Sequence, residues 1–280
     1  MRNRDLLARY GLKYNPFLPA IPPEDIWVPD AAEAFFFRVE TLVLDGGFAA
    51  IEGDPGMGKS KLLQALGHRL AQASDDMVIG VMGRPQSKLG DFYRELGDLF
   101  GVDLSPSNRY GGFKALRARW RDYIRSNLLR PILLVDEAQE VPAACLNEMR
   151  ILGSINFDSE SLLTTVLAAD MRLRERFRSR DLLPLGSRVR TRLMLAPLRP
   201  DELLTFLEHL LNRAGAPQLI TDELKHTLCQ HSAGNPRILT QTAAELLDVA
   251  ARRDKARLDE SLFLEVFGRH VAQPKQRKAG

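Results

Sequence analysis

Short apolar runs alternate with stretches of helical spacing through the first two thirds of the chain. GFAAIE (47–52), MVIGVM (77–82), PILLVD (131–136), LLTTVLAA (162–169) and RLMLAPL (192–198) are brief, apolar and read as buried strands. Between them, GKSKLLQALGHRLAQA and KLGDFYRELGDLF carry apolar residues at helical steps. Phe113, Leu116, Trp120, Tyr123 and Ile124 give FKALRARWRDYIRSNL a single core-facing side. Strands alternating with helices predict an α/β fold, a parallel sheet covered by helices on both faces. After residue 198 no strand-like run occurs. RPDELLTFLEHLLNRAG reads as a helix, with Asp201 placed to cap its start and Gly215 to end it, and further helical stretches follow near 221–232, 236–253 and 259–268. At the other end, five prolines in residues 14–29 predict an extended segment. The expected organisation is an extended N-terminal segment over 1–30, an α/β domain over 31–198, a small all-helical domain over 199–270 and a short basic tail, 271–280, expected to be disordered.

The turn after the first strand carries chemistry. GDPGMGKS, Gly53 to Ser60, fits G-x-x-x-x-G-K-[ST] in full, after a predicted strand and at the opening of a predicted helix. Glycines let main-chain N–H groups approach phosphate oxygens, and the helix adds its positive end. The candidate ATP contacts are Gly53, Asp54, Pro55, Gly56, Met57, Gly58, Lys59, Ser60 and Lys61. Lys59 is placed to reach the β- and γ-phosphates and Ser60 to ligate Mg2+. A second signal is ILLVDEAQE, 132–140. Asp136 stands at the end of a buried strand, where a carboxylate holds Mg2+ through its shell, and Glu137 beside it can polarise the attacking water. Together the two motifs imply hydrolysis of a nucleoside triphosphate.

With these residues the chain resembles an AAA+ ATPase over about residues 10 to 268. GDPGMGKS and LLVDEAQE match the two Walker motifs, and GNPR, Gly234 to Arg237, is similar to the sensor 2 motif, in which Arg237 would reach the γ-phosphate from a helical lid. The resemblance implies a P-loop sheet in 5-1-4-3-2 order, a helical lid over 199–270, and a homo-oligomer, ring or helical filament, with ATP between neighbours. It places Asp170, in TVLAAD, at sensor 1, where Asn, Thr or Gln is more usual, and Arg188 ahead of the fifth strand as the arginine that acts on a neighbour's phosphate. Arg192 is a weaker alternative for that finger. YGLKYNPF, DEAQE and PLGSRVRTRL resemble the ExeA-type secretion ATPases and equally the TnsC, TniB, MuB and IstB-like regulators of DNA transposition. The chain ends after the lid, without the membrane span and peptidoglycan-binding module of the ExeA type. The expected function is therefore ATP-dependent, sequence-nonspecific binding of duplex DNA, with target selection and recruitment of a transposase; an ExeA-like ATPase acting on a protein assembly is the alternative.

Charge refines this reading. The 280 residues hold 39 Lys and Arg against 36 Asp and Glu, a net charge of +3, which excludes a protein that coats nucleic acid by bulk attraction and leaves room for local patches. Such patches are expected in the loops GRPQSK and SPSNRYGGFK, with Arg84, Lys88, Arg109 and Lys114 as candidate contacts to the DNA phosphate backbone and Tyr110 packed on a sugar. The arginines of MRLRERFRSR, Arg172 to Arg180, read either as a solvated helix face paired with Glu175 and Asp181 or as a contact between subunits. No apolar run approaches a membrane span and no secretory signal is present, so a cytoplasmic protein without membrane partner is expected. Cys145 and Cys229 are expected as buried, reduced thiols.

Overall fold

A computed structural model describes residues 3–83, 88–104, 108–126, 128–156 and 159–268. The chain divides into two compact units, Val28–Ala196 and a second made of Met1–Trp27 with Pro197–Gly280.

The first unit is built on five parallel strands: β1 (Gly47–Gly53), β2 (Met77–Met82), β3 (Arg130–Val135), β4 (Thr164–Ala169) and β5 (Val189–Leu195). Their order across the sheet is β2-β3-β4-β1-β5, which is the 5-1-4-3-2 order expected of a P-loop AAA+ fold. The strand limits follow burial. β3 and β4 are buried along nearly their whole length, as strands covered on both faces must be. β5 begins earlier than its apolar run suggests, at Val189 rather than Arg192, because an edge strand alternates buried and exposed positions, and VRTRLML does so. Helices α2 (Asp30–Asp45), α3 (Lys59–Ala73), α4 (Leu89–Phe100), α5 (Arg109–Ser126), α6 (Ala143–Gly153), α7 (Met171–Arg176) and the single turn α8 (Leu183–Gly186) belong to this unit. Leu133, Val135, Leu167 and Ala169 share one core with Phe92, Leu96, Phe100, Leu116, Trp120 and Leu146. A two-stranded ribbon, Ser154–Ile155 with Glu160–Ser161, follows α6 and was not foreseen.

The second unit is helical: α9 (Pro200–Ala214), α10 (Asp222–His231), α11 (Pro236–Arg252) and α12 (Glu260–Phe267). Leu207, Leu211, Leu224, Leu228, Leu239 and Leu246 make its core. Two details correct the sequence reading. The start of α9 is closed by Glu202, which accepts from the Arg199 main-chain N–H at 2.8 Å, while Asp201 pairs with the Arg199 guanidinium. The N-terminal segment is not extended throughout: α1 (Asn3–Tyr10) precedes the first proline, and Leu6, Leu12 and Phe17 join the helical core. Trp27 packs edge-on against Phe206, and Asp25 takes an ion pair from Arg213 at 3.0 Å and a hydrogen bond from Tyr14. Gly215 ends α9 in the left-handed conformation, as expected. Among the described residues no helix is long and apolar enough to cross a membrane. The tail 271–280 lies outside the described residues.

Candidate nucleotide site

In an open parallel sheet, ligands sit beyond the carboxyl ends of the strands. Here β1, β4 and β3 are neighbours, with Glu52 opposite Ala169 and Val135 opposite Leu167, so the residues that follow these strands emerge at one end of the sheet. The loop Asp54–Gly58 follows β1, Asp136 and Glu137 follow β3, and Asp170 follows β4.

The loop is shaped by its glycines. Gly58 has φ 90° and ψ 13°, a left-handed conformation that costs a side-chain-bearing residue dearly, and an added Cβ there would meet open space. That open space lies at the start of α3, whose first N–H groups have no carbonyl within their own helix. Lys59, the first residue of α3, is 9% exposed, and its ammonium turns back onto the loop, donating to Gly53 O at 2.9 Å and Asp54 O at 3.0 Å. Ser60 is exposed on the same turn, while Lys61 donates to Gln64, and burial pulls the Lys61 ammonium below its usual range.

Asp136 extends β3 by one more link, its N–H donating to Met82 O at 3.0 Å, and its Oδ1 accepts from the Glu137 N–H at 3.0 Å. A divalent magnesium ion keeps several waters and takes few protein oxygens. One hydroxyl, Ser60, and one carboxylate, Asp136, fit that demand beside a triphosphate. Glu137 is exposed and has φ 49°, a left-handed backbone for a residue with a side chain. Gln139, on the 3-10 turn Ala138–Glu140, is bonded to the Glu137 carboxylate and to the Asp170 N–H.

Asp170 is the N-cap of α7. Its Oδ1 accepts from the Arg172 N–H at 2.9 Å and its Oδ2 from Arg172 Nε at 2.8 Å. Burial works to raise this carboxyl, but the hydrogen bonds and charge of Arg172, aided by the charge of Lys59, outweigh it and hold Asp170 below the usual carboxylate range. The acid at this position is thus neutralised by an arginine two residues on. Arg172 also reaches Glu140 at 2.6 Å, and Arg176 donates to the carbonyls of Gln139 and Val141 at 2.5 and 2.8 Å. Neither of the two readings of this helix foresaw that. Arg172 and Arg176 stand one helical turn apart and clamp the DEAQE segment from within their own chain.

Arg188 lies ahead of β5, half-buried, with its guanidinium on Pro184 O. Val189 is opposite Phe48 and Leu195 opposite Gly53, so Arg188 and the phosphate loop are at opposite ends of the sheet. Six strand residues at about 3.3 Å each separate them by roughly 20 Å. Arg192, the weaker alternative for the finger, is ion-paired at 2.5 Å with Glu52 of its own chain, a fully buried carboxylate, and donates to Gly186 O.

In the helical unit, GNPR has a local logic of its own. Gly234 has φ 84°, and a Cβ there would lie 2.7 Å from Pro197 and 2.9 Å from Leu198 O. Asn235 caps α11 through the N–H groups of Arg237 and Ile238, Pro236 starts it, and Arg237 is exposed on its first turn.

Of the expected DNA contacts, Arg84 lies outside the described residues. Lys88 is exposed just ahead of α4. Arg109 is committed within the chain: its Nε and Nη2 reach the buried carboxylate of Glu148 at 3.0 and 2.5 Å, and Tyr93 donates to the same group. Lys114 stands 4.5 Å from the centre of the exposed Tyr110 ring. Arg117 donates to the carbonyls of Ile151, Leu152 and Ser154 at the end of α6. Cys145 and Cys229 are both free and buried, and burial raises both thiols, Cys229 to about 11.

Residues 43–177 match the AAA domain family. The chain is 28% identical over 249 residues to general secretion pathway protein A of Aeromonas hydrophila, covering 87% of this chain but only 44% of that protein. Among solved structures, it is similar to the Aeropyrum pernix ORC2 protein in ADPNP and ADP complexes, with a TM-score of 0.70 at 19% identity, over 94% of this chain and 72% of that one. It is likewise similar to Drosophila ORC bound to DNA, with a TM-score of 0.68 at 17% identity, over 96% and 66% of the two chains. The fold is that of a P-loop AAA+ protein, and motifs and comparisons together support an AAA+ ATPase.

Proposed function

We propose that the chain hydrolyses ATP, with Mg2+, as a self-associating AAA+ ATPase. The observation that carries this is the meeting of the phosphate loop, Asp136 with Glu137, and Asp170 at one end of the sheet. Lys59 and the first N–H groups of α3 take the phosphates, Lys59 exchanging loop carbonyls for phosphate oxygens. Magnesium, held by Ser60 and Asp136, would neutralise charge on those oxygens. Glu137 accepts a proton from the attacking water. Arg188 acts on a neighbour's triphosphate, since its own lies at the far end of the strand, and Arg237 contributes from the lid.

The work coupled to hydrolysis has two readings. Binding of duplex DNA and recruitment of a transposase draw support from exposed Lys88 and Lys114, less from Arg109, whose guanidinium is already held by Glu148. Action on a protein assembly of the secretion type has the identity to general secretion pathway protein A, spread over most of the chain, in its favour. Phosphate release by the wild-type chain, by Lys59→Ala and by Glu137→Gln tests the shared part. The first variant should bind no nucleotide, and the second should bind it while turning over about 10²-fold more slowly or less. Anisotropy of a labelled random duplex then separates the readings. Salt-sensitive binding only with a slowly hydrolysed ATP analogue favours DNA, and no binding with either ATP analogue or ADP favours the protein assembly.

A further inference from the structure

Gln139 is 7% exposed, and both ends of its amide are engaged. The Asp170 main-chain N–H, at the end of β4, lies 3.1 Å from Oε1. A main-chain N–H can only donate, so the amide oxygen must face it. That fixes the other end: Nε2 faces Glu137 and donates to its Oε2. The main chain that carries this amide is held as well, since Arg176 donates to Gln139 O at 2.5 Å and to Val141 O at 2.8 Å. Glu137 itself sits on a left-handed backbone at φ 49°, and its carboxylate meets this amide. The aim comes from the amide.

We infer that Gln139 is a positioning residue that orients the Glu137 carboxylate and ties that orientation to the end of β4. The inference rests on the ATPase reading. A primary amide is suited to the task, because it offers an acceptor to Asp170 N–H and a donor to a carboxylate in one planar group. Asparagine is one methylene short of spanning the gap, and glutamate sets a second carboxylate against the first. A shift of the β4 end relative to β3 reaches the Glu137 carboxylate through this side chain.

The test is steady-state ATP hydrolysis by the full chain as wild type, Gln139→Ala and Gln139→Glu, with binding of a fluorescent ATP analogue measured on each. Misplacing a reacting group by about an ångström costs on the order of 10²-fold. Gln139→Ala should therefore lose about that much in kcat, with KM and analogue affinity changed by less than about twofold. Gln139→Glu keeps the length of the side chain but replaces the amide donor with a carboxylate, so it should lose kcat to a similar degree with the same small change in KM. A merely structural residue would lower activity in step with folded protein and leave kcat per folded chain unchanged. Gln139→Ala with kcat per folded chain within about twofold of wild type, or a loss carried by KM and analogue affinity, overturns the inference. Should Gln139→Ala not fold, Gln139→Glu decides by the same split. A wild-type chain that binds the analogue but releases no phosphate overturns the ATPase reading instead, and the inference with it.

Discussion

The arginines of residues 171–180 and those of residues 183–192 look alike along the chain, and the fold uses them differently. In the first group, Arg172 and Arg176 bind their own chain from one helix face and hold Asp170, Glu140 and the carbonyls of Gln139 and Val141. In the second, each arginine has its own direction. Arg192 pairs with the buried Glu52 of β1, Arg190 reaches Asp45 at 3.8 Å, and Arg188 stands at the amino end of β5 on the Pro184 carbonyl. The difference lies in the elements. A helix brings residues one turn apart to a common neighbour, whereas a strand and the turn before it scatter them. Guanidinium density in a sequence therefore says little about whether the charge serves its own chain or another copy.

Removing arginines singly sharpens that contrast. Arg188→Ala should have the largest effect, about 10³-fold in kcat with nucleotide binding kept. Mixing it with Lys59→Ala chains, which lack a working pocket but keep the arginine, should restore turnover. Recovery absent from mixtures that co-assemble would assign Arg188 to its own chain. Arg192→Ala should leave hydrolysis chemistry aside and act on folding. It strands a buried carboxylate, for which about 3–5 kcal/mol is the expected loss in denaturant titration, and Glu52→Gln in the same chain should return part of it. The smallest effect concerns acid. Because the Asp170 carboxyl is held below its ordinary value, its contribution is fully present above the unfolded carboxylate range and fades as pH falls through the lower folded value. The stability gap between wild type and Arg172→Ala should accordingly narrow as pH drops below about 4. A gap that stays constant to pH ~2 would mean that Arg172 contributes through packing alone.

Much of this architecture was legible because it is written in residues with one physical use. GDPGMGKS and the buried run ahead of Asp136 fix a phosphate loop beside a carboxylate, and five short apolar runs yield the sheet. What escaped had other reasons. The helix Asn3–Tyr10 is hidden because the prolines that break helices begin only at Pro16 and say nothing of the residues ahead of them. The start of β5 was missed because its arginines mask a two-residue alternation. The roles of Gln139, Arg176 and Arg117 are long-range: their partners lie 31, 37 and 34 residues away, and no spacing rule links them. The pairing of Arg109 with Glu148 is long-range too, 39 residues apart, so a cation in a turn-rich stretch reads as free along the chain.

On the proposed role of Arg188, its separation from the phosphate loop along β5 has a consequence for growth. A copy would offer a pocket at one pole of its sheet and an arginine at the other, so copies joined by that contact would stack head to tail. Such a stack would have direction. Unless it closed on itself, one terminal copy would expose an unfilled pocket and the other its Arg188 end, and the two termini would be chemically unlike. A molecule that recognises either terminus could start, stop or orient the array without touching any copy in its interior.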